Sequence, residues 1–330
     1  MKAVVITRFG GPEVLEIQDV PAPQAGPDEV LVRVRGTALN RADLLQRLGR
    51  YAAPAGMPQN IPGLEFAGEV VESGANAQRW SKGDRVMGIT GGGAHAEFVV
   101  SHEDAVAGVP TNLDWSAAGA VPEVFMTAYD ALLQAGFNPG DKVLIHAAGS
   151  GVGLAATQLA RASGGHAFGT SRTADKIERA KQFGLEAGFI VPEPSALSGL
   201  AEFAEKVTGG RGFDVVLDLN GGPYFAASLE AMSLRARLIL IGSVAGSRAE
   251  VDLSQILRKR LLVIGTVMRA RTLEEKILVT RAFARGVGPL LAQGTVQPVI
   301  DSVFPFEQIQ DAHRRLESNE TFGKVALTIS

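Results

Sequence analysis

The stretch from Lys142 to Arg172 leaves this chain few options. It reads K-V-L-I-H-A-A-G-S-G-V-G, continues as an apolar helix and closes on H-A-F-G-T-S-R. A strand-length apolar run feeds a glycine-rich turn, a helix starts at Gly151, and a second strand ends at Ser171-Arg172. That end falls about eighteen residues beyond Gly153, the layout of a dinucleotide-binding βαβ unit. Glycines there let the backbone approach a pyrophosphate, and the helix N-terminus offers unpaired N–H groups and the positive end of its dipole. The motif is degenerate. Ala148 and Ser150 fill the first two positions of G-x-G-x-x-G, and only Gly153 is kept at the third. Ser150, Gly151, Val152 and Gly153 are the expected phosphate contacts.

The end of the second strand speaks to which dinucleotide. NAD-specific proteins place a carboxylate there for the ribose 2′-hydroxyl; this chain has Ser171, with Arg172 next and Lys176 four residues on. A 2′-phosphate carries about −1.5 to −2 charges. A carboxylate would repel it, whereas a serine donates a hydrogen bond and the two cations make charge-assisted ones. The expected cofactor is therefore NADPH. A strand–serine–helix turn is also where α/β-hydrolases hold a nucleophile, but the pentapeptide A-G-S-G-V lacks both outer glycines of G-x-S-x-G.

Composition narrows the chemistry further. The chain has no cysteine, which excludes disulfides and thiolate metal sites. A formal net charge of −3 gives no electrostatic reason to bind nucleic acid or an anionic membrane. The N-terminus, M-K-A-V-V-I, reads as a strand rather than a signal segment, so a cytoplasmic protein is expected.

Two regimes follow each other along the 330 residues. The first ~120 residues alternate short apolar runs with Gly, Pro, Asp and Asn, which predicts a largely antiparallel, barrel-like domain. Its strands are expected at 3–6, 29–36, 69–71, 85–87 and 96–100, with a helix at 41–49 after Asn40. After residue 116 continuous Val/Ile/Leu runs alternate with helical spacing, which predicts a doubly wound parallel sheet of six strands. Those strands are expected at 143–147, 167–171, 189–191, 214–219, 238–241 and 262–267. The remaining tail is too short for another domain and is expected to return to the first. Gly91-Gly92-Gly93 precedes a strand-like run, not a helix, and reads as a turn.

These pieces resemble the medium-chain dehydrogenase/reductase superfamily over the whole chain, and in particular its zinc-free quinone oxidoreductase branch of the tumour-suppressor-inducible NADPH type. The matching stretches are A-L-N-R-A-D-L-L-Q-R-L-G-R-Y (38–51), P-G-L-E-F-A-G-E-V (62–70), W-S-K-G-D-R-V-M (80–87), V-P-E-V-F-M-T-A-Y (121–129), the phosphate turn, and F-G-K-V-A-L (322–327). The resemblance implies an α/β Rossmann domain (121–264) inserted in a mostly-β GroES-like barrel catalytic domain (1–120 plus 265–330), with a cleft between them. Zinc-dependent relatives place a Cys, a His and a Cys at positions that match Asn40, Leu64 and Glu123, and Leu64 cannot ligate a metal. The resemblance implies NADPH-driven reduction of quinones or activated enones. It suggests Asn40 and Tyr51 at the acceptor end, Phe125 and Met126 lining the cleft, and Thr127, Asn220, Gly242, Ser243 and Lys324 as further cofactor contacts. It also implies a homodimer through the sixth strand. The five histidines show no ligand spacing and read as structural. Val191 replaces a tyrosine that many relatives use near the cofactor.

Two alternatives stay open. An enoyl-thioester or alkenal reductase would need a basic entrance, for which Arg47, Arg50 and Arg269 are candidates. A non-catalytic NADPH-binding protein with a structural or RNA-binding role is disfavoured by the lack of a dense basic stripe.

Overall fold

Strand-forming residues at alternate positions set the architecture of the first part. In β3 (Glu29–Ala38), Val30, Val32 and Val34 face the core while Glu29, Leu31, Arg33 and Arg35 face outward, the period of a strand with one buried face. The computed structural model describes residues 1–330 and divides into two units, Met1–Met126 with Met268–Ser330, and Thr127–Val267. The second unit thus begins at Thr127 and ends at Val267 rather than at 121 and 264.

In the first unit β1 (Lys2–Ile6) and β2 (Leu15–Asp19) form an antiparallel pair. After β3 come α1 (Arg41–Arg47), β4 (Glu65–Ser73), β5 (Arg85–Ile89), β6 (Phe98–His102), β7 (Val106–Gly108) and α2 (Trp115–Gly119). The unit boundary falls inside α3 (Pro122–Gln134). Gly36 in β3 is dictated by α2, because a Cβ there would stand 1.9 Å from the Trp115 carbonyl oxygen.

The second unit alternates strand and helix. Its elements are β8 (Lys142–Ile145), α4 (Gly151–Ala162), β9 (His166–Ser171), α5 (Ala174–Lys181), β10 (Leu185–Ile190), α6 (Leu200–Thr208), β11 (Phe213–Asp218), α7 (Pro223–Ala231), β12 (Met232–Leu240), α8 (Leu253–Lys259) and β13 (Leu262–Gly265). All six strands are parallel, in the order β10-β9-β8-β11-β12-β13. The order reverses between β8 and β11, and ligands of doubly wound sheets bind outside the strand ends at such a switch point.

The tail groups with the first unit. It contributes α9 (Leu273–Gly286), α10 (Gly288–Ala292), β14 (Ile300–Pro305), α11 (Ile309–Glu317) and β15 (Lys324–Thr328). β15 pairs antiparallel with β3, completing a sheet ordered β14-β15-β3-β4-β5-β7 with β6 also on β3. Val325, Leu327 and Ile329 join Val32, Phe66 and Val86 in its core. No helix is long and apolar enough to cross a membrane.

Candidate cofactor and acceptor sites

In the second unit the turn after β8 is built as the sequence suggests. Ala147 takes a left-handed conformation (φ 55), which reverses the chain. Ser150 then caps α4, its Oγ accepting the Gly153 N–H at 3.1 Å. That role, not nucleophilic attack, accounts for the serine. Gly153 is obligatory, since a Cβ would lie 2.4 Å from the Ala147 carbonyl oxygen. The close approach of helix to strand leaves the N–H groups of Gly151 and Val152 in the first turn of α4, as an anion site requires.

His146 locks this turn from below. It is wholly buried, Nδ1 is 3.0 Å from Thr170 Oγ1 on β9, and Nε2 is 2.8 Å from Ser228 Oγ on α7. The Ser228 hydroxyl proton is committed to the Tyr224 carbonyl. The network therefore assigns Nε2 as donor and Nδ1 as acceptor, a neutral ring. Burial pushes the imidazole down to about 4, which agrees.

β9 ends at Ser171, which is buried, and the exposed Arg172 follows at its tip. Lys176 stands in the first turn of α5. No carboxylate occupies the position of Ser171. Asn220 follows β11, where Asp218 Oδ1 accepts the N–H groups of Asn220 and Gly221, both at 2.9 Å. Gly242 and Ser243 line a groove at the carboxyl ends of β12 and β13, together with Leu240, Ile241 and Gly265–Val267. Thr127 Oγ1 is buried without a hydrogen-bonding partner. A helix N-terminus, a glycine-kept close approach and an orphaned hydroxyl fit a pyridine dinucleotide.

The first unit holds a buried polar cluster. Glu65 on β4 is fully buried. Its Oε1 accepts Lys324 Nζ at 2.8 Å and Asn40 Nδ2 at 2.9 Å, and its Oε2 accepts the Glu123 N–H at 2.8 Å. The Glu65 carboxylate thereby caps α3, where an anion is stabilised by the helix dipole. Asp43, also buried, accepts the N–H of Asn40 at 2.7 Å and of Gly63 at 2.9 Å.

This cluster corrects several expectations. For Lys324 the sequence leaves two uses open, a cofactor phosphate or a salt bridge. Its ammonium engages Leu39 O at 2.7 Å, Asn40 Oδ1 at 2.6 Å and Glu65, which uses all three donors. Asn40 is the N-cap of α1, in a capping box with Asp43, and its side chain also spans Glu65 and Lys324. Phe125 and Met126 were to line a cleft, yet each is 1% exposed, so both are core. Of the three arginines expected at a basic entrance, Arg50 is exposed and the other two are buried. Arg47 is fully buried on Gly10 O, His313 and Glu317. Arg269 is 4% exposed on Gly91 O, Tyr51 O and Gln46 Oε1.

Tyr51 lies under Arg269, whose guanidinium carbon is 4.8 Å from the ring centroid. Burial raises its phenol above the usual value, so it stays a donor throughout the neutral range. Glu123 went unassigned in the sequence beyond a matching position. Its Oε2 is buried with no hydrogen-bonding partner, and burial next to Glu65 pushes the carboxyl up to about 8. The carboxylate in V-P-E-V, at the start of an apolar helix, was the only signal for it. No group of three or more His, Cys, Asp or Glu side chains is placed to hold a metal ion.

A six-stranded parallel sheet with a nucleotide turn, in one chain with a GroES-like β unit, defines a pyridine-nucleotide-dependent oxidoreductase. Residues 26–111 match the alcohol dehydrogenase GroES-like domain, and residues 196–327 match the zinc-binding dehydrogenase family. Quinone oxidoreductase of Lama guanicoe is 31% identical over 100% of this chain and 98% of its own. That of Pseudomonas aeruginosa is 32% identical over 99% of each. A mycobacterial protein solved in complex with NADPH superposes with a TM-score of 0.86 at 28% identity, over 99% of this chain and 100% of that one. An NAD-dependent alcohol dehydrogenase does so with 0.85 at 30% identity, over 100% of both. The chain belongs to the quinone oxidoreductase family of the medium-chain dehydrogenases/reductases.

Proposed function

We propose that this protein reduces quinones, or closely related activated enones, with NADPH and without a metal ion. The observation that carries the reading is the end of β9, where Ser171 and Arg172 stand in place of a carboxylate. Ser150, Gly151, Val152 and Gly153 hold the pyrophosphate, while Ser171, Arg172 and Lys176 take the 2′-phosphate. Thr127, Asn220, Gly242 and Ser243 complete the cofactor contacts.

Bound NADPH supplies a hydride. A quinone is electron-poor, and its reduced oxygens take protons readily, so it needs little polarisation from the protein. The chain's own part is orientation and proton handling. Tyr51 donates a hydrogen bond to the oxygen on which charge develops. Asn40 acts as a positioning residue, holding Glu65 and Lys324 in register beside it.

An acceptor series tests this reading. With NADPH, a naphthoquinone is expected to be turned over with a much higher kcat/KM than a crotonyl thioester. The reverse ranking would favour an enoyl-thioester reductase, for whose basic entrance only Arg50 of the three candidate arginines is exposed. NADPH binding without turnover of any acceptor would leave a non-catalytic protein.

A further inference from the structure

Hydride addition leaves a quinone one proton short, and Tyr51 alone does not account for the groups around it. Glu123 sits in the first turn of α3, its backbone fixed by the hydrogen bond from its N–H to Glu65 Oε2. Its own Oε2 is buried and has no partner in the chain. A buried carboxylate oxygen without donors is costly when ionised, whereas a neutral carboxyl leaves an O–H in search of an acceptor.

We propose that Glu123 is the acid that delivers a proton to the oxygen of the reduced acceptor. The proposal rests on the reductase reading above and adds a catalytic residue to it. As hydride bonds to the acceptor, a carbonyl π pair moves onto oxygen. That oxygen forms a bond to the Glu123 proton as the Glu123 O–H bond breaks, and a carboxylate remains. Water returns one proton to Glu123; the carbon that took the hydride then loses a proton to water while the second carbonyl oxygen gains one as the ring aromatises, so that quinone, NADPH and H⁺ become hydroquinone and NADP⁺.

Charged groups from every neighbouring element suit this cycle. Glu65 on β4 and Asp43 on α1 resist ionisation of Glu123, which keeps the proton in place beforehand. Lys324 on β15 and Arg269 oppose them, and Lys276 on α9 also feels Glu123, so the carboxylate is stabilised once formed. Tyr51 feels Glu123 as well, which places a second donor at the same end of the unit. The Glu123 side chain is only partly buried as a whole, which leaves a route for exchange with water.

The test is E123Q, which keeps the shape and removes the acid. Wild-type kcat with a naphthoquinone is expected to fall as pH rises through about 8. E123Q is expected to have kcat about 100-fold or more below wild type at neutral pH, without that falling limb. Its NADPH dissociation constant should match wild type. Infrared spectroscopy supplies a readout that needs no turnover: a protonated-carboxyl band at pH 7 in wild type, lost in E123Q. Full kcat and an unchanged pH profile in E123Q would overturn the proposal, as would a band that persists in it. Should E123Q fail to fold, E123D retains an acid and is expected to keep the limb at reduced kcat; a flat profile in an active E123D would equally overturn it. A wild-type chain that reduces no acceptor would sink the reductase reading itself, whereas an active wild type with an equally active E123Q sinks only Glu123.

Discussion

At the scale of single residues, the proposed preference for NADPH rests on charge at the end of β9. Arg172 is exposed at the tip of β9, so any contact with a 2′-phosphate is screened by water and worth the lower end of a charge-assisted bond. Arg172→Ala is therefore expected to raise the NADPH dissociation constant about tenfold while leaving that of NADH unchanged. Equal losses for both cofactors, measured by fluorescence titration, would show that the side chain does not read the phosphate. The same scale shows where sequence reasoning failed. Lys324 and Asn40 carry polar groups in motifs that look functional, yet they are consumed by each other and by Glu65 on β4, far away in the chain. Nothing local in the sequence encodes a pairing across 25 or 284 residues.

At the scale of elements, the βαβ unit was legible because its signals are local: a buried apolar strand, a capping serine and a glycine that only close packing explains. The same holds for α6, found at Leu200–Thr208 as its spacing predicts. β2, α2, α7 and α8 were not anticipated. β2 reads L-E-I-Q-D, an alternation of strand period too short to stand out, and it pairs along its whole length with β1. α7 opens on Pro223 after Gly221-Gly222 and carries little contrast between faces, so its period is faint. His146 ties three of these elements together. Its folded-state pKa is depressed, so the stability it contributes is present above its unfolded pKa near 6.5 and is lost as pH falls toward about 4. His146→Ala removes two buried hydrogen bonds and leaves a cavity, at a cost of about 2–4 kcal/mol. Denaturant melts at pH 7 and pH 5 are expected to show that difference shrinking at the lower pH. A variant as stable as wild type at pH 7 would show that the ring does not brace the turn.

At the scale of the whole molecule, β13 ends its sheet with an open edge. Leu262 is 58% exposed and Val263 42%, and Leu257 on α8 is 76% exposed. An apolar edge strand of this kind invites pairing, and a second copy meeting it about a twofold axis covers both edges at once. Light scattering at micromolar concentration is expected to give a dimer, and Val263→Lys a monomer. A monomeric wild type would remove this assembly.

The central claim is that Ser171 and Arg172 select a phosphorylated ribose. Calorimetric titration of the wild-type chain with NADPH and NADH, side by side at one ionic strength, tests it most directly. NADPH is expected to bind at least about tenfold more tightly, one charge-assisted contact's worth. Tight NADH binding with little or no heat from NADPH would contradict the account.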